Sequence, residues 1–170
     1  MKITKSDLLL QFTENNIEFD IYDHDALYTV EDSIKLRGKI EGAHTKNLFL
    51  KNKKNNFFLF SCIESTIVDL KKLKNVLNLG NISFAKDLYL ENILGVKPGS
   101  VTPFGLINDK ENKVSFFLDK NILKHTKVNF HPLINTSTVS LCVVDFLSFM
   151  KKNNKLVNIF NFDNYTLVNE

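Results

Sequence analysis

His44-Thr45-Lys46-Asn47-Leu48-Phe49-Leu50-Lys51 and, past the polar turn Lys53-Lys54-Asn55-Asn56, the run Phe57-Phe58-Leu59-Phe60-Ser61-Cys62-Ile63 read as one hairpin, with strands over 44–51 and 56–63. Alternation alone leaves its inward side open. Lys46 shares a face with His44, Leu48 and Leu50, while Thr45, Asn47, Phe49 and Lys51 take the other. Upstream, Leu8, Leu9, Phe12 and Ile17 carry a helical period, which predicts a helix over 4–16 ended by Asn15-Asn16. Residues 18–22 alternate like a strand, and Thr29 with Asp32 opens a short helix ending at Gly38. Downstream, helices are predicted over 69–77 and over 85–94, the second terminated by Gly95. Strands follow at 100–107, 113–119, 127–130 and 138–143, then a helix over 144–152 and a polar, Asn-rich tail over 153–170 with one apolar cluster. Helices and strands mix without strict βαβ alternation. The expectation is therefore a single α+β domain over 1–170, built on a mixed sheet.

Composition narrows the function classes. The chain has 170 residues, 44% hydrophobic and 24% charged, as in an ordinary globular domain able to bury a core. Its 22 basic and 19 acidic residues leave a net charge of +3, too small to announce a general nucleic-acid binder. Local basic patches remain, at Lys51, Lys53 and Lys54 and at Lys71, Lys72 and Lys74; most such runs are simply solvated faces. Cys62 and Cys142 sit in apolar, strand-like segments, which suits buried thiols in a reducing cytosol better than a disulfide scaffold. Charges at Lys2, Lys5, Asp7 and Glu14 interrupt any leader-like run, and no stretch has the ~20 apolar residues of a membrane span. A cytoplasmic protein without membrane partners is expected.

Two loops carry residues suited to chemistry. In Gly99-Ser100-Val101-Thr102-Pro103-Phe104-Gly105, two glycines bracket the segment, and Pro98 and Pro103 stiffen it. Backbone N–H groups from Gly99 to Thr102 suit an anionic or carbonyl oxygen, whereas Pro103 donates nothing. The second loop is Asn129-Phe130-His131-Pro132-Leu133, where a histidine before proline is as often structural as functional. His24, His44 and His125 are scattered, without cysteine or carboxylate at zinc-ligand spacing, so neither metal nor cofactor is expected. Ser100 lacks a nucleophile elbow, and the cysteines read as core. A lone strand lysine such as Lys46 is usually a surface residue; turned inward, its ammonium needs a partner or a task.

Gly42–Lys51, Val68-Asp69-Leu70-Lys71-Lys72-Leu73, Ser83-Phe84-Ala85, Leu94–Asp109 and Val128–Asn135 together resemble the YbaK/ProX family, in order and spacing from about Ile21 to Met150. The likeness is greatest to its freestanding prolyl-tRNA editing proteins (ProX or PrdX type), which deacylate mischarged Ala-tRNA(Pro). It implies a curved, partly barrel-like mixed sheet with helices packed outside. It also implies metal-independent hydrolysis of the ester at the terminal ribose of a mischarged tRNA, and prolyl-tRNA synthetase as a possible partner. Lys46 matches the lysine regarded as essential there, and joins the Gly99, Ser100, Val101 and Thr102 backbone as the catalytic set. Substrate binding falls to His44, Asn47, Pro103, Phe104, Gly105, Asn129, Phe130 and His131, with Phe104 and Phe130 as pocket walls. Asn81 stands where relatives carry arginine, and Lys86 replaces a small polar residue, which bears on contact with the tRNA body. The alternatives are a deacylase for mischarged Cys or Ser, and a non-catalytic member that binds tRNA or a synthetase or acts as a regulator.

Overall fold

The computed structural model describes residues 1–26, 34 and 40–168. The helix expected from Thr29 to Gly38 lies outside the described residues. At the start of the chain, the Thr4 side chain accepts from the Asp7 N–H while the Asp7 carboxylate accepts from the Thr4 N–H. This reciprocal cap starts α1 (Lys5–Glu14), which turns Leu8 and Phe12 into the core. The chain continues through β1 (Phe19–Asp23), β2 (Ala43–Asn52), β3 (Phe57–Ile63), α2 (Leu70–Val76), β4 (Ile82–Phe84) and the short α3 (Asp87–Tyr89). After β5 (Val114–Asp119) come β6 (Lys127–Phe130), β7 (Ser137–Cys142), α4 (Val143–Lys152), β8 (Val157–Asn161) and β9 (Thr166–Leu167).

The described strands form one mixed sheet in the order β1-β7-β6-β2-β3-β5-β8-β9, with β4 added against β2. It has ends at β1 and β9, so it is not closed into a barrel. The expected hairpin is present, with Lys46 opposite Cys62 and Asn47 opposite Ser61. Three joints are parallel: β2 with β6, β3 with β5, and β5 with β8. One face packs on α1 and α4 through Phe12, Phe146 and Phe149. The other carries a smaller core of Leu50, Phe58, Phe60, Leu73 and Phe117. Central β3 is buried on both faces, which explains its unbroken apolar run.

Three sequence expectations are corrected. The strand expected over 100–107 is a 3₁₀ helix at Pro103–Asn108: Thr102 caps it through its side chain and Pro103 occupies the first turn, where its missing N–H costs nothing. The tail expected over 153–170 contains β8 and β9, and Phe160 and Phe162 are core residues. The helix expected over 85–94 is α-helical only at Asp87–Tyr89 and continues as a π-helical turn at Leu90–Leu94, closed by Gly95.

Candidate functional site

The face of the sheet opposite α1 divides along β2. Towards β3, β5 and β8 it is apolar. Towards β6, β7 and β1, strand register aligns polar side chains: His44 lies opposite Asn129, Asn129 opposite Ser140, and Tyr22 opposite Thr138. Lys46 stands at the seam. It is half-buried, and its Nζ donates to the Thr66 carbonyl in the turn that follows β3. Both sides of β2 are covered: Lys46 shares the face of the smaller core with buried Cys62, while Phe49 turns to the main core.

Burial pushes the Cys62 thiol up to about 12, against the opposing pull of the Lys46 ammonium, and the buried Asp119 carboxylate raises it further. A thiol held protonated in this way is no nucleophile. Cys142, expected to be buried, is only partly so. Asn47, next to Lys46 in the chain, projects to the opposite face, where its Oδ1 accepts from the buried Ser61 hydroxyl. The two residues therefore do not converge through their side chains.

His131 follows β6 on the Lys46 face, two residues beyond the His44–Asn129 pair. Its Nδ1 lies 2.9 Å from the Ser137 carbonyl, and burial holds its pKa below the usual imidazole value, with His24 adding to the shift. A carbonyl only accepts, so Nδ1 carries the proton and Nε2 is the lone-pair nitrogen. The His24 ring lies 6.2 Å away, its Nε2 2.9 Å from the Thr138 hydroxyl. His44 Nε2 meets the Ile40 carbonyl at 3.0 Å, and Asn129 Nδ2 donates to the Glu41 carbonyl at 2.9 Å. Thr45 Oγ1 donates to the Asn129 carbonyl at 2.8 Å, tying β2 to β6 just below Lys46. His44 and Asn129 thus brace the chain entering β2, while His131 keeps a nitrogen to offer.

The glycine loop opens with a tight turn. The Ser100 N–H donates to the Lys97 carbonyl at 3.0 Å, with Pro98 and then Gly99 (φ +82°) at the corner. Proline followed by a left-handed glycine is the type II pattern. Ser100 therefore spends its N–H on the turn, and the expectation that it donates to a ligand is corrected. The N–H groups of Gly99, Val101 and Thr102 have no backbone acceptor among the described residues. A groove of about 610 Å³ is lined by residues 2–5, Gly95, Lys97, Pro98, Ser100 and residues 133–135. Leu133 holds φ at +68°, a strained value for leucine, immediately after His131-Pro132. Ser100 of the first loop and Leu133 of the second line this groove, whereas Lys46 and His131 do not.

Phe104 and Phe130 line none of the grooves formed by described residues alone. They are 0% and 2% exposed, with ring centroids 5.7 Å apart edge to face in the main core. Pro103 and Gly105 are buried too, and a Cβ on Gly105 would meet the Leu94 side chain at 2.9 Å. The second glycine serves helix packing, not approach to a ligand. Thr66, Asp119 and Thr138 join the site without having been predicted. Only Asp119 left a trace in the sequence, as a charge ending the apolar run Phe116-Phe117-Leu118. Among the described residues no cluster of three or more His, Cys, Asp or Glu could hold a metal ion, and no helix is long and apolar enough to cross a membrane.

Comparison with known proteins identifies the family. Residues 24–149 match the aminoacyl-tRNA editing domain, a span that includes Lys46, the Gly99 loop and His131. The prolyl-tRNA synthetase associated domain-containing protein 1 of Mus musculus is 36% identical over 152 residues, covering 86% of this chain and 89% of its own. The prolyl-tRNA editing protein ProX of Acetoanaerobium sticklandii is 31% identical over 150 residues, covering 88% and 92%. A solved structure described as a candidate trans-editing enzyme for prolyl tRNA synthetase superposes with a TM-score of 0.66 at 15% identity, covering 98% of both chains. The chain belongs to the aminoacyl-tRNA editing domain family.

Proposed function

We propose that this protein is a trans-editing hydrolase that removes alanine from mischarged tRNA(Pro). The observation that carries the reading is the half-buried Lys46 at the seam of the sheet, inside the editing-family match, with His131 on the same face of the neighbouring strand. Water adds to the ester carbonyl, either directly or after the neighbouring ribose hydroxyl has taken over the acyl group as the isomeric ester, and the water's proton is passed on. The bond from the acyl carbon to the ribose oxygen then breaks, and the ribose oxygen takes a proton. Lys46 offsets negative charge at the ester or the terminal phosphate. The N–H groups of Gly99, Val101 and Thr102 are the donors available to the developing oxyanion, each worth ~10²–10³ in rate where it is aligned. His131 presents Nε2 to the terminal adenosine or the attacking water. The partners in this reading are the acceptor end of the tRNA and, in the cytoplasm, prolyl-tRNA synthetase.

Alanine always fits a site built for proline, so a synthetase cannot exclude it by size, whereas a second, smaller pocket can admit alanine and reject proline. The names of the Acetoanaerobium and mouse relatives support prolyl-tRNA as the context. The test is a deacylation panel of alanyl-, cysteinyl-, seryl- and prolyl-tRNA(Pro), with Lys46→Ala beside the native chain. Hydrolysis of the alanyl form should far outpace the prolyl form, and Lys46→Ala should be slower by orders of magnitude with a nearly unchanged melting temperature. Equal alanyl and prolyl rates would refute the editing role, since such an enzyme destroys correct product.

A further inference from the structure

Asp119 closes β5 and is fully buried. Removing a carboxylate from water is costly unless its oxygens are satisfied. Here Oδ1 accepts from the Asn121 N–H at 2.9 Å, and Oδ2 accepts from the Ile63 N–H at 3.2 Å and from the Thr66 hydroxyl at 3.4 Å. All three donors are neutral. The first contact is an ordinary cap of the 3₁₀ turn Lys120–Lys124. The other two belong to the turn after β3, which the Thr66 N–H closes on the Ile63 carbonyl and the Glu64 N–H pins to the His44 carbonyl of β2. Thr66 is therefore held from two directions: its hydroxyl reaches the Asp119 carboxylate, and its carbonyl receives the Lys46 ammonium.

We propose that Asp119 is the positioning residue of Lys46, fixing through the Ile63–Thr66 turn the carbonyl that orients the lysine; this rests on reading Lys46 as a catalytic group. Both charges act on the Cys62 thiol, Asp119 raising its pKa and Lys46 lowering it, as expected for opposite charges sharing one neighbour. A cap alone would need only Oδ1. Oδ2 serves the lysine's turn.

The experiment measures kcat and KM for Ala-tRNA(Pro) with Asp119→Asn and Thr66→Val, each alone and combined with Lys46→Ala, in single-turnover assays followed down to the uncatalysed rate. Asp119→Asn should lower kcat by about tenfold or more with KM within about twofold, the range typical of residues that orient a first-contact group. Thr66→Val, which loses the hydroxyl but keeps the carbonyl, should give a smaller loss confined to kcat. Neither should slow the Lys46→Ala protein further, because their effect passes through the lysine. Losses that multiply with that of Lys46→Ala, losses in KM alone, or an unchanged kcat would overturn the proposal. If Asp119→Asn does not fold, the Thr66→Val pair decides by the same criteria. Full activity in Lys46→Ala itself would overturn the catalytic reading of the lysine and this proposal with it, whereas multiplied losses overturn this proposal alone.

Discussion

Replacing Phe104 with alanine separates the core from the pocket. Its ring is fully buried and meets those of Phe12, Phe130, Phe146 and Phe149 edge-on, at 5.3, 5.7, 5.9 and 6.1 Å between centroids. Those four partners come from α1, β6 and α4, so the vacated space cannot collapse by moving one side chain. Truncation of such a phenylalanine costs ~3–5 kcal/mol. In a chain of this size each kcal/mol lowers the melting temperature by ~2–4 °C, which puts the drop at ~6–20 °C. Calorimetry and urea unfolding give the stability. A deacylation assay well below the new midpoint gives the ratio of alanyl to prolyl turnover. That ratio should stay within about twofold of the native value, because the fully buried ring offers no surface to a substrate. A variant that melts within about 2 °C of the native chain, yet accepts prolyl-tRNA, would refute the reasoning and return Phe104 to the pocket wall.

Burial lowers the pKa of His131 in the folded chain below its ordinary value of 6.5. As pH falls through that value the unfolded chain takes up the proton first, so stability is full above it and declines towards the depressed folded pKa. His131→Gln should flatten that decline in urea midpoints measured from about pH 7.5 to about pH 5, and an equally steep decline in the variant would count against the assignment. Gly99→Ala places a Cβ at φ +82°, which costs about 1–2 kcal/mol. Its melting temperature should fall by ~2–8 °C while kcat falls much further, and full activity would remove the loop from the mechanism.

The hairpin of β2 and β3 was legible because its turn is polar and its second strand is apolar throughout. The 3₁₀ helix at Pro103–Asn108 was not, because Val101 and Thr102 resemble strand residues and hid the helix-start meaning of Thr102-Pro103. β8 escaped for a different reason: Asn158 and Asn161 interrupt Val157, Ile159 and Phe160, and the parallel partner Phe116–Asp119 is distant in the chain. Within the candidate site, alternation already parted Lys46 from Asn47, but only cross-strand register shows that Lys46 meets Cys62 and Asn47 meets Ser61. Nor could spacing tell that Phe104 and Phe130 serve the core, since an aromatic beside a glycine loop reads equally as wall or filling. Asp119 needed the fold itself, because its partners come from the turn after β3.

The parallel joint between β5 and β8 gives the order of synthesis a physical meaning. β5 leaves the ribosome with β3 already made, but its other side stays a row of unpaired N–H and C=O groups beside Phe116 and Phe117 until Val157–Asn161 emerges. Such an edge is a template for pairing with other chains. Phe160 and Phe162 then close over Phe117 and Phe60, with ring centroids 6.4 Å apart in both pairs. The last long strand to be translated is thus the seal on the sheet, and a nascent chain stalled shortly after α4 would present a sticky edge to its neighbours on a polysome.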